Sequence, residues 1–230
     1  MTNTNAEMWE FTVRHFSAPR MNSYFRTMFG NREMAVQLYR WNSELASAYW
    51  EAIAYVEVAL RNLINEKMTL RQHSLGRDSH WIFDDFFELG RNQILGEPPT
   101  QPFKEISDAM RRVRSNRKPM TPDQIISELS FGFWHQMLSK KQLFLWPGLA
   151  SGFKNAPSRS QSYISNLTFE IRNLRNRIGH HHRLDSHSAV FGFQLILQLA
   201  CAIDEDLAEW IVKGSRVDDL LKSIPTLSDI

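Results

Sequence analysis

Residues 172–184 gather four arginines, two asparagines and three histidines into thirteen consecutive positions, with Gly179 directly before the histidines. Guanidinium, amide and imidazole together suit a phosphodiester. Arginine grips phosphate through two parallel hydrogen bonds, and histidine moves protons near neutral pH. Asn176 and His180 are four apart and share a face of a continuing helix. Arg175 and His180 are five apart, about 140° around an ideal helix. A helix ending at Gly179 relaxes that separation, because glycine readily takes the left-handed conformation that terminates helices; His180 then swings back toward Arg175. Arg175, Asn176 and His180 are therefore the candidate catalytic set. Arg172, at the same spacing from Asn176 as Asn176 from His180, is a substitute for Arg175 or a helper to it. The competing reading is a polar surface turn, since cationic side chains suit helix C-termini.

Positioning such a segment requires helices on both sides of it. Residues 158–178 read as the helix that delivers the motif, with Tyr163, Ile164, Leu167, Ile171 and Leu174 as its buried stripe. Asp185 or Ser186 can cap the next helix, which runs to about Val212 and ends at Gly214. Residues 31–70 carry neither glycine nor proline and present a broad apolar face. The first thirty residues are aromatic-rich and read as two short helices or a turn-rich arm around Pro19. Three prolines make 96–102 a loop, 103–114 can form a helix, and Thr121-Pro122-Asp123-Gln124 is a helix start with a capping box. Residues 140–154 are partly loop, and 217–224 form a last turn or two. The chain is all-α by this reading. It divides into an N-terminal arm at 1–30, a domain at 31–214 and a tail at 215–230.

The string Arg175-Asn176-x-x-Gly179-His180-His181-x-Arg183-Leu184 resembles the arginine-asparagine-x-x-small-histidine-histidine-x-arginine-leucine signature of Abi-like (AbiD/AbiF-type abortive infection) proteins. Those proteins belong to the HEPN superfamily, marked by Arg, four to six residues, then His. The segments 38–70 and 125–134 resemble the same family; Gly179 stands where Ala is commoner. The resemblance implies a HEPN-like helical bundle with peripheral helices, often a homodimer that brings two motifs together. It also implies metal-independent RNA cleavage leaving a 2′,3′-cyclic phosphate, in phage defence or toxin-type growth arrest, with an antitoxin protein as a further partner. In that chemistry His180 takes part in proton transfer as the 2′-hydroxyl attacks, Arg175 stabilises phosphate charge, and Asn176 orients a neighbour or holds an oxygen. His181 supports His180. Arg183 contacts phosphate or neutralises the helix end. The alternative function is a HEPN-like module that binds RNA or a nucleotide without cutting it.

Glu57 and Arg61 are four apart with the acid first: either a helix set against the motif, Glu57 fixing the imidazole or Arg175, or an exposed ion pair worth under about 0.5 kcal/mol. Arg111, Arg112, Arg114, Arg117 and Lys118 place five cations in eight residues, an RNA guide or a solvated loop. Trp134 and the aromatics at 81–87 stack bases or pack a core. A zinc site at His181 and His182 lacks further ligands in the segment; no metal and no cofactor is expected. The net charge of +2 is too small for binding nucleic acid by bulk attraction, so any RNA contact must be local. One cysteine, Cys201, excludes an internal disulfide. No apolar signal core opens the chain and no run is long enough for a membrane span, so a cytoplasmic protein is expected.

Overall fold

The computed structural model describes residues 5–94, 96–184 and 186–225. Among them there are eleven α-helices, three short 3-10 turns and no strand, so the all-α expectation holds. The helices are α1 (Asn5–Phe16), α2 (Ala18–Thr27), α3 (Arg32–Ser74), α4 (Phe103–Ser115), α5 (Pro122–Ser127), α6 (Phe131–Met137), α7 (Trp146–Leu149), α8 (Gln161–Gly179), α9 (Ser186–Ile203), α10 (Glu205–Gly214) and α11 (Val217–Lys222). No helix among the described residues is long and apolar enough to cross a membrane.

Two short helices form at the start, with Pro19 in the first turn of α2, where its missing N–H costs no hydrogen bond. α3 runs for 43 residues, as the unbroken stretch without glycine or proline requires. At α5 the Thr121 hydroxyl accepts the Gln124 N–H at 3.3 Å, giving half of the expected capping box; the Gln124 amide turns instead to Ser127 at 2.9 Å. Residues 140–152 are more helical than expected, a run of short turns with Pro147 at the start of α7. The single helix expected after the histidines is two. Asp204 leaves the helix and its carboxylate accepts the Asp206 N–H at 2.8 Å, so α10 starts afresh. Asp185, expected as a cap, lies outside the described residues, as do the side chains of Ser186 and His187.

The chain forms two compact units. The first comprises residues 1–52, 174–194 and 213–230. Its interior holds Met21, Tyr24, Leu38, Leu45, Tyr49, Leu174, Ile178 and Phe193. The Tyr49 hydroxyl donates to the Ala189 carbonyl at 2.7 Å and accepts the Phe193 N–H at 3.2 Å. Gly192 permits the close packing here. A Cβ at that position would sit 2.8 Å from Leu174 Cδ2 and 3.2 Å from Tyr49 Cε1.

The second unit comprises residues 53–173 and 195–212. Ile53, Leu60, Ile64, Trp81, Phe131, Phe133, Trp134 and Phe153 are its large buried side chains. Trp81 and Trp134 are therefore core residues, not stacking platforms. The Trp81 indole N–H donates to Asn65 Oδ1 at 2.8 Å. Buried Asp84 accepts the backbone N–H groups of Glu88, Leu89 and Arg91, which pins the turn after Phe83.

Candidate functional site

α8 carries the motif into the first unit. Ile164, Leu167, Ile171, Leu174 and Ile178 recur every three or four residues and are all buried, which fixes the rotation of the helix. Arg175 and Arg177 are half-buried on its flanks, while Asn176, Gly179 and His180 are exposed.

The helix ends at Gly179, as the sequence suggested, but the glycine is not the residue that turns the chain. Gly179 keeps helical backbone, and the His180 N–H still bonds the Asn176 carbonyl at 2.9 Å. The left-handed residue is His181, with φ of 55°. The His181 N–H bonds the Ile178 carbonyl and the His182 N–H bonds the Arg177 carbonyl, both at 2.9 Å. This is a Schellman end, with histidine where glycine is usual. Asn176 and His180 thus share a face as expected. Arg175 stays about 140° around the axis from His180, because the bend that was to bring them together comes only after His180. Among the described residues no hydrogen bond joins the two side chains.

Arg175 instead lies over the Trp50 indole, its guanidinium carbon 5.1 Å from the ring centroid. No carboxylate among the described residues pairs with it, and its Nε is buried without a hydrogen-bond partner. A buried donor on a charged group is costly to leave unpaired, and among the described residues none meets this one. His180 is exposed, its ring 5.8 Å from that of His182.

The residues after the helix are tied down from a distance. Arg183 donates to Thr27 Oγ1 at 2.6 Å and to the Ser23 carbonyl at 3.3 Å, and its guanidinium lies 5.2 Å from the centre of the Tyr24 ring. Arg20 donates to the His181 carbonyl, and Arg177 donates to the Arg183 carbonyl at 3.0 Å. Leu184 is buried, and its N–H is held by the Asn42 side chain at 2.9 Å. Arg183 is thus an anchor of the turn to α2, which narrows its role as a phosphate contact. Burial pushes the Tyr24 phenol up to about 12 despite the Arg183 cation, so Tyr24 is no proton carrier at neutral pH.

The remaining sequence candidates belong to the second unit. Arg172 lies with its guanidinium carbon 5.2 Å from the Phe169 ring centre, and its Nε too is buried without a partner. Glu57 and Arg61 are half-buried one turn apart on α3, and Arg61 Nε donates to Asn62 Oδ1 at 3.4 Å. Of the basic run, Arg111 pairs with Asp108 at 2.9 Å, and Arg112 and Lys118 pair with Glu128 at 3.5 and 3.2 Å; Arg114 and Arg117 are exposed. Three of those five cations are therefore already matched. Among the described residues no cluster of three His, Cys, Asp or Glu side chains gathers around a common point for a metal ion.

Trp50, Asn42 and Arg20 escaped the sequence reading. A signal for Trp50 was present: it lies two residues from buried Ala48 and from buried Ala52, hence on the opposite face, and it is 42% exposed. Asn42 and Arg20 act over more than a hundred residues of chain, which spacing does not reveal.

A family model described as Abi-like protein matches residues 11–185, from α1 through the histidine turn. No curated protein and no solved structure matches the chain.

Proposed function

We propose, from the premise that the chain belongs to the Abi-like family, that it is a metal-independent endoribonuclease of HEPN type. Family membership suggests a role in abortive infection; the proposed activity gives that role a chemistry. The 2′-hydroxyl oxygen attacks the adjacent phosphorus and the bond from phosphorus to the 5′-oxygen breaks. A proton leaves the 2′-hydroxyl for an imidazole, and one is delivered to the departing 5′-oxygen. The products are a 2′,3′-cyclic phosphate and a 5′-hydroxyl. His180 moves the proton, Arg175 meets the phosphate charge, and Asn176 on the His180 face holds an oxygen or orients the ring.

The observation that carries this reading is the Arg175 guanidinium, held on Trp50 with no carboxylate among the described residues to neutralise it. Because Arg175 and His180 diverge around one helix, the cleft needs two copies of the chain, each giving an arginine to the other's histidine. An antitoxin would work by covering this end of α8.

A labelled transcript incubated with chelator tests the reading. Wild type should cut it and leave cyclic phosphate ends. His180→Ala should lose about 10²–10⁴-fold in rate, the usual contribution of a positioned proton carrier, and RNA with 2′-deoxy substitution should resist. The same divergence of Arg175 and His180 favours the second reading, a module that binds without cutting. Equal inactivity of wild type and His180→Ala, with RNA still bound, would establish that second reading instead.

A further inference from the structure

Beside the histidine turn the first unit has a cavity of about 490 Å³, open to solvent on one side, inside the roughly 300–1,000 Å³ range of small-ligand sites. α3 supplies its floor. Tyr39, Ser43, the adjacent pair Ala46 and Ser47, and Trp50 follow one another at steps of three or four residues and form one stripe, with an aromatic ring at each end and small side chains between. Arg20 of α2 and the turn of Gly179, His181 and His182 complete the walls. Its described lining therefore has a guanidinium, two imidazoles and no carboxylate, which suits an anionic occupant.

The hydrogen-bonding groups are arranged for a polar ring as well. The Ser43 and Ser47 hydroxyls already donate to the carbonyls four residues before them, at 3.0 and 2.9 Å, so their oxygens are left as acceptors. Asn42 uses its oxygen on Leu184, which leaves its amide nitrogen as a donor. Acceptors and a donor on the floor, aromatic ends and a cationic rim match a nucleotide: a flat base with polar edges, joined to phosphate. The indole that walls this cavity is also the one that carries Arg175. A base against Trp50 would lie next to the guanidinium proposed to hold the scissile phosphate.

We propose that this cavity seats the nucleotide flanking the scissile linkage, with its base against Trp50 and its phosphate toward Arg20 and the His181–His182 turn. The occupant's identity as RNA rests on the ribonuclease reading; the cavity's ability to hold it is tested apart from cleavage. The probe is a short fluorescent 2′-O-methyl oligoribonucleotide of mixed sequence, which cannot be cut, titrated with full-length protein. Ser47 is exposed, so Ser47→Leu should fold with an unchanged Tm while filling the floor. Ser47→Leu and Trp50→Ala should each weaken binding about tenfold or more, the loss expected when a base loses its stacking surface. Trp50→Phe should restore most of it.

Failure of wild type to bind the oligonucleotide, or wild-type affinity in Ser47→Leu, would overturn the cavity's role. If wild type binds, Ser47→Leu does not, and an all-ribose transcript stays uncut, the cavity stands and the nuclease reading falls. If wild type cuts the transcript and Ser47→Leu cuts it with unchanged KM, the nuclease reading stands and the cavity falls.

Discussion

Two arginine sites, one in each unit, use the guanidinium in opposite ways. In the second, Arg71 and Arg77 grip one carboxylate, Glu88, from two sides: Arg71 at 2.6 and 3.0 Å, Arg77 at 2.8 and 3.2 Å. Arg77 also lies 4.0 Å from the Phe86 ring centre, and Arg71 lies 5.7 Å from that of Phe144. In the first, Arg175 has the ring and not the acid. An aromatic platform orients a guanidinium in both cases. Where a carboxylate completes the set the charge is neutralised within the fold; where none does, among the described residues, it stays uncompensated.

The largest effect that would break this contrast is on catalysis. Arg175→Ala should cost about 10²–10³-fold in transcript cleavage, the scale of a lost electrostatic contact in the transition state, with a urea midpoint near that of wild type. An equal loss of stability in Arg175→Ala and in Glu88→Ala would make Arg175 a structural arginine and end the distinction. Next in size is Glu88→Ala, which strands two half-buried cations. Urea unfolding should register about 2–3 kcal/mol of destabilisation, somewhat under the range for breaking a fully buried pair.

pH sharpens the same point. Hydrogen bonding from Arg71, then from Arg77, outweighs burial and holds the Glu88 carboxyl down at about 2. A depressed carboxyl adds stability that is fully present above the ordinary carboxylate value and is lost as pH falls toward 2. Wild-type stability should therefore decline from about pH 4.5 downward by more than that of Glu88→Gln, followed by thermal unfolding across that window. Smallest is Gly179→Ala. The backbone there is helical and an added Cβ would meet Trp50 at 3.7 Å, an ordinary contact. The substitution should raise stability by up to about 1 kcal/mol in urea unfolding. A loss instead would mean that Gly179, not His181, takes the left-handed conformation.

Much of the scaffold was legible because it depends on local signals. The unbroken stretch of α3, proline in the first turn of α2, the Thr121 cap and the three-four stripe of α8 all act within a few residues. The break at Asp204 was missed because a capping aspartate at the head of the acidic triplet Asp204-Glu205-Asp206 looks like a polar residue on an outer face. The candidate site was read from its residue types and misread in its geometry. Gly179 was expected to bend the chain because glycine pays no steric penalty in the left-handed region. The bend falls on His181, where Arg20 holds the carbonyl and Arg183 and Asn42 hold the residues that follow. Those bonds come from α2 and α3, and they select a backbone conformation that local preference alone disfavours.

What the sequence alone determined is therefore the helical nature of the chain and the presence of an arginine, an amide and an imidazole within six residues, since periodicity and composition are properties of neighbours. Which of those charges is spent and which is left over was decided only by the tertiary structure. A guanidinium's partners are set by what packs against it, and for Arg175 that is the indole of Trp50, far away in the chain, rather than an acid.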